Sequence, residues 1–420
     1  MSKPTITVAG GLYKLRWDDE KLECKVSRLI DKSDRTVGEV TWTTTRDGIA
    51  PHLYQCSFNF TGSRSRSDLA KLMAERYPPE TTGADWDAII EQLSVLVINA
   101  MREGEPVQEL WTSTDAKPIQ YLVDPIFPKD QPTIIFGSRG GGKSAMELLI
   151  AVSLSLPWTD NPLGFTVPDT ATPGLILDWE SEGYLMQRRL KRLHAGMEIG
   201  CDFPLQYRRC SGPVADDMDS LFQIIDAGGY KYVIIDSLGP ACGGDLNAAG
   251  PAMRFFESLR RLHISVLIIA HQAKNGEGEK SVFGSGFFEN LSRSVWELKS
   301  EQDQETGDLK LGLFQTKASE SRRHAPMGFC MHFQDPEGPV TVEQDESALT
   351  EGAMADRMPA SVLIKAQLSR GQKLTPTELT EAIGRNENTV KTALRRMHDK
   401  GVIMSTGDGR WCLRGRRENE

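Results

Sequence analysis

Apolar residues recur along the chain in distinct patterns, and each pattern keeps to its own stretch. In the first 120 residues, Leu12-Tyr13-Lys14-Leu15-Arg16-Trp17 and Gly38-Glu39-Val40-Thr41-Trp42-Thr43 alternate apolar and polar positions. A period of two predicts half-buried strands. Residues 68–76 and 86–101 repeat at helical spacing instead, with Trp86, Ile89, Ile90, Leu93, Leu96 and Val97 on one face. The pattern predicts a small α+β domain over residues 1–120, in which Ser63-Arg64-Ser65-Arg66-Ser67 reads as a solvated loop. Residues 121–340 behave differently: the runs 133–136, 174–177, 232–235 and 266–270 are short and apolar throughout, and helical stretches separate them. Such runs suit a mainly parallel sheet buried on both faces by helices, an α/β architecture.

An acidic stretch, 341–358, follows and is expected to be a structureless linker. Residues 359–420 return to helical spacing. Residues 361–368 form one helix, and Thr375-Pro376-Thr377-Glu378 has the cap, Pro and Glu of a helix start, with Gly384 as its stop. Residues 386–400 make a third helix with Val390, Leu394 and Met397 inward, and 402–404 and 411–413 flank Gly407-Asp408-Gly409 as a hairpin. This order resembles a winged helix-turn-helix. DNA reading would set 386–395 in the major groove and Arg410 on the backbone, with a protein partner on the same surface, 386–411, as the alternative.

A length of 420 residues predicts two to three domains. No apolar run approaches the ~18 residues of a membrane span, and Met1–Gly11 shows no basic segment leading an apolar one. The seven cysteines are scattered without a CxxC pair, which argues against a disulfide framework and against a zinc site. The expectation is a reduced, cytoplasmic protein with no membrane partner. The net charge of −9 disfavours nucleic acid overall, yet from Pro359 onward twelve Lys/Arg face seven acids, a local +5 against −14 elsewhere. The C-terminus is therefore the part suited to DNA.

The chemistry concentrates in Gly137-Ser138-Arg139-Gly140-Gly141-Gly142-Lys143-Ser144, followed by Ala145. A strand precedes this GxxxxGK[ST] run and a helix follows it. Backbone N–H groups of such a loop surround phosphates, Lys143 would neutralise the β- and γ-phosphates, and the Ser144 hydroxyl would ligate Mg²⁺. Asp236, closing the run 232–235, would hold Mg²⁺ through water. Asp178-Trp179-Glu180-Ser181-Glu182 places three acids after another strand. Glu180 is the chosen base for orienting water; Asp178 and Glu182 remain alternatives, since acids also favour helix starts.

The order of motifs over residues 120–335 resembles the RecA-like ATPases, and most closely the RepA-type (AAA) hexameric replicative helicases of plasmids and phages. The residues that carry the likeness are GSRGGGKS (137–144), LILDWE (175–180), YVIIDSLGPACGGD (232–245), LIIAHQAK (267–274) and FGSGFFENLSRSVWEL (283–298). The resemblance implies ATP and Mg²⁺ as cofactors and Glu180 as activator of water. It also implies Gln272 as γ-phosphate sensor, with His271 beside it. It further implies that loops 239–249 and 274–283 contact single-stranded DNA around the axis of a homo-hexamer. Lys317 and Arg322 or Arg323, with Arg293 as a further candidate, would reach a neighbouring subunit's nucleotide. The chain departs from RecA itself in Arg139 with its three glycines and in lacking a recombinase-type oligomerisation tail, and residues 1–120 match no primase or loader domain. The expected function is a ring-forming, ATP-driven DNA helicase. The alternatives are an ATP-switched DNA-binding regulator or helicase loader, and a recombination mediator.

Overall fold

A computed structural model describes residues 3–414 apart from 10, 32–33, 104–106, 108, 110–111, 113–117, 274–280, 335–336 and 351. Contacts divide the chain into two compact units. One comprises Met1–Pro118, Ser211–Lys231 and Pro240–Ile264; the other comprises Ile119–Cys210, Tyr232–Gly239 and Ser265–Glu420. The first unit thus draws in two later segments besides the N-terminal residues.

Its sheet is an antiparallel meander of β1 (Thr5–Ala9), β2 (Leu12–Trp17), β3 (Leu22–Asp31), β4 (Thr36–Thr44) and β5 (His52–Asn59), in sequential order. Burial alternates along β2 and β4, as the period of two requires. Helices α1 (Ser63–Arg76), α2 (Pro79–Thr82) and α3 (Trp86–Arg102) follow. Trp17 and Trp42 stack at 5.6 Å, and Trp86 from α3 meets Trp42 edge-on at 5.3 Å, which fastens helix to sheet. Residues 63–67, expected as a solvated loop, are instead the start of α1. Arg66 reaches Glu91 on α3 at 2.7 Å, so the segment is anchored.

Beyond residue 120 the chain runs through β6 (Tyr121–Val123), β7 (Phe127–Pro128), β8 (Pro132–Gly137), α4 (Lys143–Ser155), β9 (Gly174–Asp178), α5 (Gly183–Gly196), β10 (Gln206–Arg209) and α6 (Met218–Gly228). It continues with β11 (Tyr232–Asp236), α7 (Leu238–Cys242), α8 (Ala249–Arg261), β12 (Ser265–His271), α9 (Phe287–Leu291), β13 (Ser294–Gln302), β14 (Leu309–Ala318), β15 (Met327–Phe333), β16 (Val340–Gln344) and α10 (Gly352–Ala355). Nine strands form one sheet in the order β10-β9-β11-β12-β8-β13-β14-β15-β16. The pairs from β10 to β13 are parallel and those from β13 to β16 antiparallel. β8, β9, β11 and β12 are the four apolar runs of the sequence, and their residues are almost wholly buried.

The acidic stretch 341–358 is not a free linker. β16 adds Val340–Gln344 to the sheet edge, and Leu349, Met354 and Met358 pack with Phe314 and Leu363. Its apolar residues are few, but each is spent on a buried contact. The chain then forms α11 (Ala360–Ser369), α12 (Pro376–Ile383), α13 (Glu387–Asp399) and the hairpin β17 (Ile403–Thr406) and β18 (Arg410–Leu413). Thr375 and Glu378 make the full reciprocal cap of α12, which Gly384 closes at φ 62°. Ile364, Leu368, Leu379, Val390, Leu394, Met397 and Ile403 supply a small separate core. Among the described residues no helix is long and apolar enough to cross a membrane.

Candidate nucleotide site

The loop between β8 and α4 is shaped by its glycines. A Cβ on Gly137 would lie 2.3 Å from the Leu298 carbonyl oxygen of β13, so only glycine lets the two strands pair there. Gly140 and Gly142 sit at φ +70° and +81°, left-handed values that glycine adopts without strain. Gly142 caps α4 without a side-chain bond to the helix; the Ala145 N–H donates to the Gly142 carbonyl, which leaves the N–H groups of Lys143 and Ser144 to meet an anion. Arg139, Gly140, Gly141, Gly142, Lys143, Ser144 and Ala145 line a cavity of about 640 Å³, with Glu180, Arg189, Asp236 and His271 across from them. Lys143 Nζ donates to the carbonyls of Gly137 at 3.1 Å and Ser138 at 2.6 Å. Burial lowers the Lys143 pKa, while Asp236, Glu180 and Glu147 pull the other way.

Adjacent strands β9 and β11 end on a pair of carboxylates, Asp178 beside Asp236. Burial, then the charges of Asp178 and Glu180, push Asp236 up to about 7, against the pull of Lys143 and Arg189. Glu147, one turn into α4 from Lys143, is fully buried. Burial and then Asp236 and Asp178 raise it well above the carboxylate range. The cavity lining carries Arg139, Lys143, Arg189 and Arg192 against Glu180 and Asp236, which suits a polyanion, with the two carboxylates left to face a cation.

The three acids after β9 separate by what they touch. Asp178 Oδ1 accepts from the backbone N–H of Glu180 at 2.7 Å and of Ser181 at 2.8 Å, which caps the turn into α5. Glu182 lies 3.9 Å from Arg209. Glu180 alone of the three lines the cavity, where its Oε1 accepts from the Ser237 hydroxyl and lies 3.1 Å from His271 Nε2. Burial works to raise Glu180, but the bonds from Ser237 and His271 and the charges of His271 and Lys143 prevail and lower it. A fixed carboxylate results.

Of the pair at the end of β12, His271 faces the cavity and Glu180, whereas Gln272 does not line it. The Gln272 backbone N–H donates to Gly137 O at 3.2 Å, and the residue bridges to Val282. Register decides this, because a strand sends successive side chains to opposite faces. Arg189 and Arg192 of α5 also line the cavity and escaped the sequence reading. Their only signal was basic spacing on a helix after Glu180, which a solvated face shows as well.

The residues expected to act across an interface do not line this cavity. Lys317 Nζ donates to the carbonyls of Glu289, Asn290 and Ser292 at 2.8, 2.9 and 2.8 Å, closing the C-terminus of α9; its place is inside its own chain. Arg293 lies 3.7 Å from Glu320. Arg322 and Arg323 are exposed. Residues 239–249 begin in the helical turn α7 and pass through left-handed Gly243 and Gly244 into α8. Of the expected DNA loop 274–283, residues 274–280 lie outside the described residues. Arg410, expected on a DNA backbone, donates to Lys373 O at 2.8 Å and lies 3.4 Å from Glu378, so it braces the C-terminal module.

Residues 101–277 match a family model described as an AAA domain. Comparison with curated proteins gives no match. Among solved structures, a KaiC-like protein from the hyperthermophilic archaeon Pyrococcus horikoshii is similar at 15% identity and a TM-score of 0.37, over 54% of this chain and 99% of that one. Residues 101–277 are thus similar to an AAA domain, and the loop 137–144 within them has the glycine geometry of a phosphate-binding P-loop, which fits an ATPase core.

Proposed function

We propose that this protein is an ATP-hydrolysing motor that assembles as a ring of six copies on DNA and works as a RepA-type replicative helicase. The observation that carries the reading is Glu180, fixed by Ser237 and His271 in the cavity that Lys143 and Asp236 also line. Ser144 and Asp236, both lining the cavity, fit Mg²⁺ as hard oxygen donors. Held there with ATP, the ion would offset the phosphates' negative charge. Lys143 would release the loop carbonyls and meet the phosphates. Glu180 Oε2 would orient the attacking water while Oε1 stays held, and His271, in place of Gln272, would report the γ-phosphate to Glu180. Exposed Arg322 and Arg323, off their own cavity, are the residues free to serve a neighbour's. Lys391, Arg395 and Arg396 stand outward on α13, which supports reading the C-terminal module as a winged helix-turn-helix. The strands' DNA path would run by 239–249 and 274–283.

A second reading, an ATP-switched regulator or helicase loader, is favoured by one contact: Arg357, just ahead of the C-terminal module, pairs with buried Glu297 on the strand beside β8. ATP hydrolysis by the full chain, with and without single-stranded DNA and beside a Lys143→Ala control, separates them. Stimulation that grows with strand length and vanishes in the control supports the motor. Hydrolysis indifferent to single strands removes it in favour of the switch, and hydrolysis unchanged in Lys143→Ala overturns the site itself.

A further inference from the structure

The antiparallel edge of the large sheet gathers a thiol, an imidazole and carboxylates outside the nucleotide cavity. Cys330 and His332 are two apart on β15 and so share a face, while Met331 and Phe333, between and beyond them, line the cavity on the other. Asp308 arrives from just ahead of β14. His332 Nδ1 lies 2.9 Å from Asp308 Oδ2 and 3.9 Å from Cys330 Sγ, and one donor atom from each residue falls within 4.8 Å of the others. Metal–ligand bonds of about 2.0–2.3 Å in a tetrahedron set neighbouring donors roughly 3.4–3.6 Å apart. The three atoms are therefore near the edges of such a tetrahedron already.

The surroundings agree. The second ring nitrogen of His332, Nε2, lies 3.5 Å from Glu343 Oε1 on β16. With a metal on Nδ1 in place of the hydrogen bond to Asp308, a carboxylate there would hold the proton on Nε2, the outer-shell arrangement that orients metal-binding histidines. The carboxylates of Asp308, Glu343 and Asp345 lie near enough to act on the Cys330 thiol, with Lys310 opposing them. The scattered cysteines argued against such a site, because Cys330-Met331-His332 lacks the CxxC spacing and Asp308 becomes a neighbour only through the strand pairing of β14 with β15.

We propose that Cys330, His332 and Asp308 bind one thiophilic divalent cation, zinc by its ligand chemistry, with Glu343 as positioning residue and a solvent oxygen completing four ligands. A thiolate with an imidazole selects zinc over Mg²⁺ or Ca²⁺. Binding would expel the thiol proton and clamp the β13–β14 turn to β15. The full chain, stripped by chelator dialysis, is titrated with Co²⁺ and then Zn²⁺. The expected result is one equivalent of Co²⁺ with a thiolate-to-cobalt charge-transfer band, displaced by Zn²⁺. Cys330→Ser and His332→Ala abolish the uptake, and Glu343→Gln weakens it by about 10–100-fold. No charge-transfer band in the unmodified chain overturns the proposal, whatever the variants do, and identifies His332–Asp308 as a plain ion pair. Uptake that survives both Cys330→Ser and His332→Ala also overturns it. Zinc uptake lost in Lys143→Ala would assign the ion to the nucleotide cavity and overturn it equally.

Discussion

Replacing Asp236 with Asn should stabilise the nucleotide-free protein at pH 8 while abolishing ATP hydrolysis. Asp236 ionises near 3.8 in an unfolded chain and at about 7 in the fold, where burial and the charges of Asp178 and Glu180 oppose its anion. Between those values the folded chain holds a proton that the unfolded chain has lost. Stability therefore falls as pH rises from about 4 to about 7, and the whole deficit is present above 7. At about 1.4 kcal/mol per pH unit, the gap amounts to about 4 kcal/mol. Asn keeps the shape and removes the charge, but its buried amide lacks some partners at a cost of about 1–3 kcal/mol. A net gain of about 1–3 kcal/mol at pH 8 follows, with none at pH 5, where the wild-type side chain is already neutral.

Thermal unfolding without nucleotide or Mg²⁺, at pH 5 and pH 8, measures this directly. For the compact unit that holds Asp236, about 250 residues, about 1 kcal/mol corresponds to roughly 2–4 °C. The variant should melt several degrees above wild type at pH 8 and level with it or below at pH 5. A variant that melts at or below wild type at pH 8, with the same pH dependence, refutes the reasoning and means that Lys143 and Arg189 already neutralise Asp236.

Arg357→Ala leaves the carboxylate of Glu297, wholly buried, without its cation, and should cost about 3–5 kcal/mol in a urea titration; the double change with Glu297→Met should recover most of it. Gly137→Ala puts a methyl 2.3 Å from the Leu298 carbonyl, so β8 and β13 must part and ATP binding, followed by nucleotide fluorescence, should be lost. Thr375→Ala removes the side-chain half of the α12 cap, leaving the backbone N–H of residue 375 to Glu378, and should cost about 1 kcal/mol, read as a lower melting point with hydrolysis unchanged.

Legibility in the sequence followed the range of the forces. β8, β9, β11 and β12 were readable because a strand buried on both faces must be apolar at every position, and α12 because its cap is local. The loop from Gly137 to Ser144 was readable because each residue type answers a backbone or charge demand within eight positions. Burial of Leu349, Met354 and Met358 was hidden, since their apolar partners, such as Phe314, are distant in sequence. The choice between Glu180 and its neighbours could be made but not justified from spacing; the cap made by Asp178 is what leaves Glu180 for the cavity. The expected roles of Gln272 and Lys317 rested on order along the chain alone. Strand register turned His271 inward in one case, and three carbonyls at the end of α9 took the ammonium in the other.

Both proposed readings require the nucleotide loop to influence the C-terminal module, and the pairing of β13 gives that influence a material route. Leu298 pairs with Gly137 at the start of the loop and Glu297 with Phe136 beside it. Glu297 is held by Arg357, and the same connecting segment packs Met354 and Met358 against Leu363 of α11. Arg385, at the start of the turn into α13, donates to the carbonyls of Ala355 at 2.9 Å and Asp356 at 2.7 Å. A close-packed interior transmits displacement rather than absorbing it. From β13 two links lead to the C-terminal module, the Glu297–Arg357 ion pair and the packing of Met354 and Met358 on Leu363. Arg357→Ala cuts the first of these while leaving the second, so a variant that still hydrolyses ATP but loses its response to DNA would locate the coupling at the ion pair.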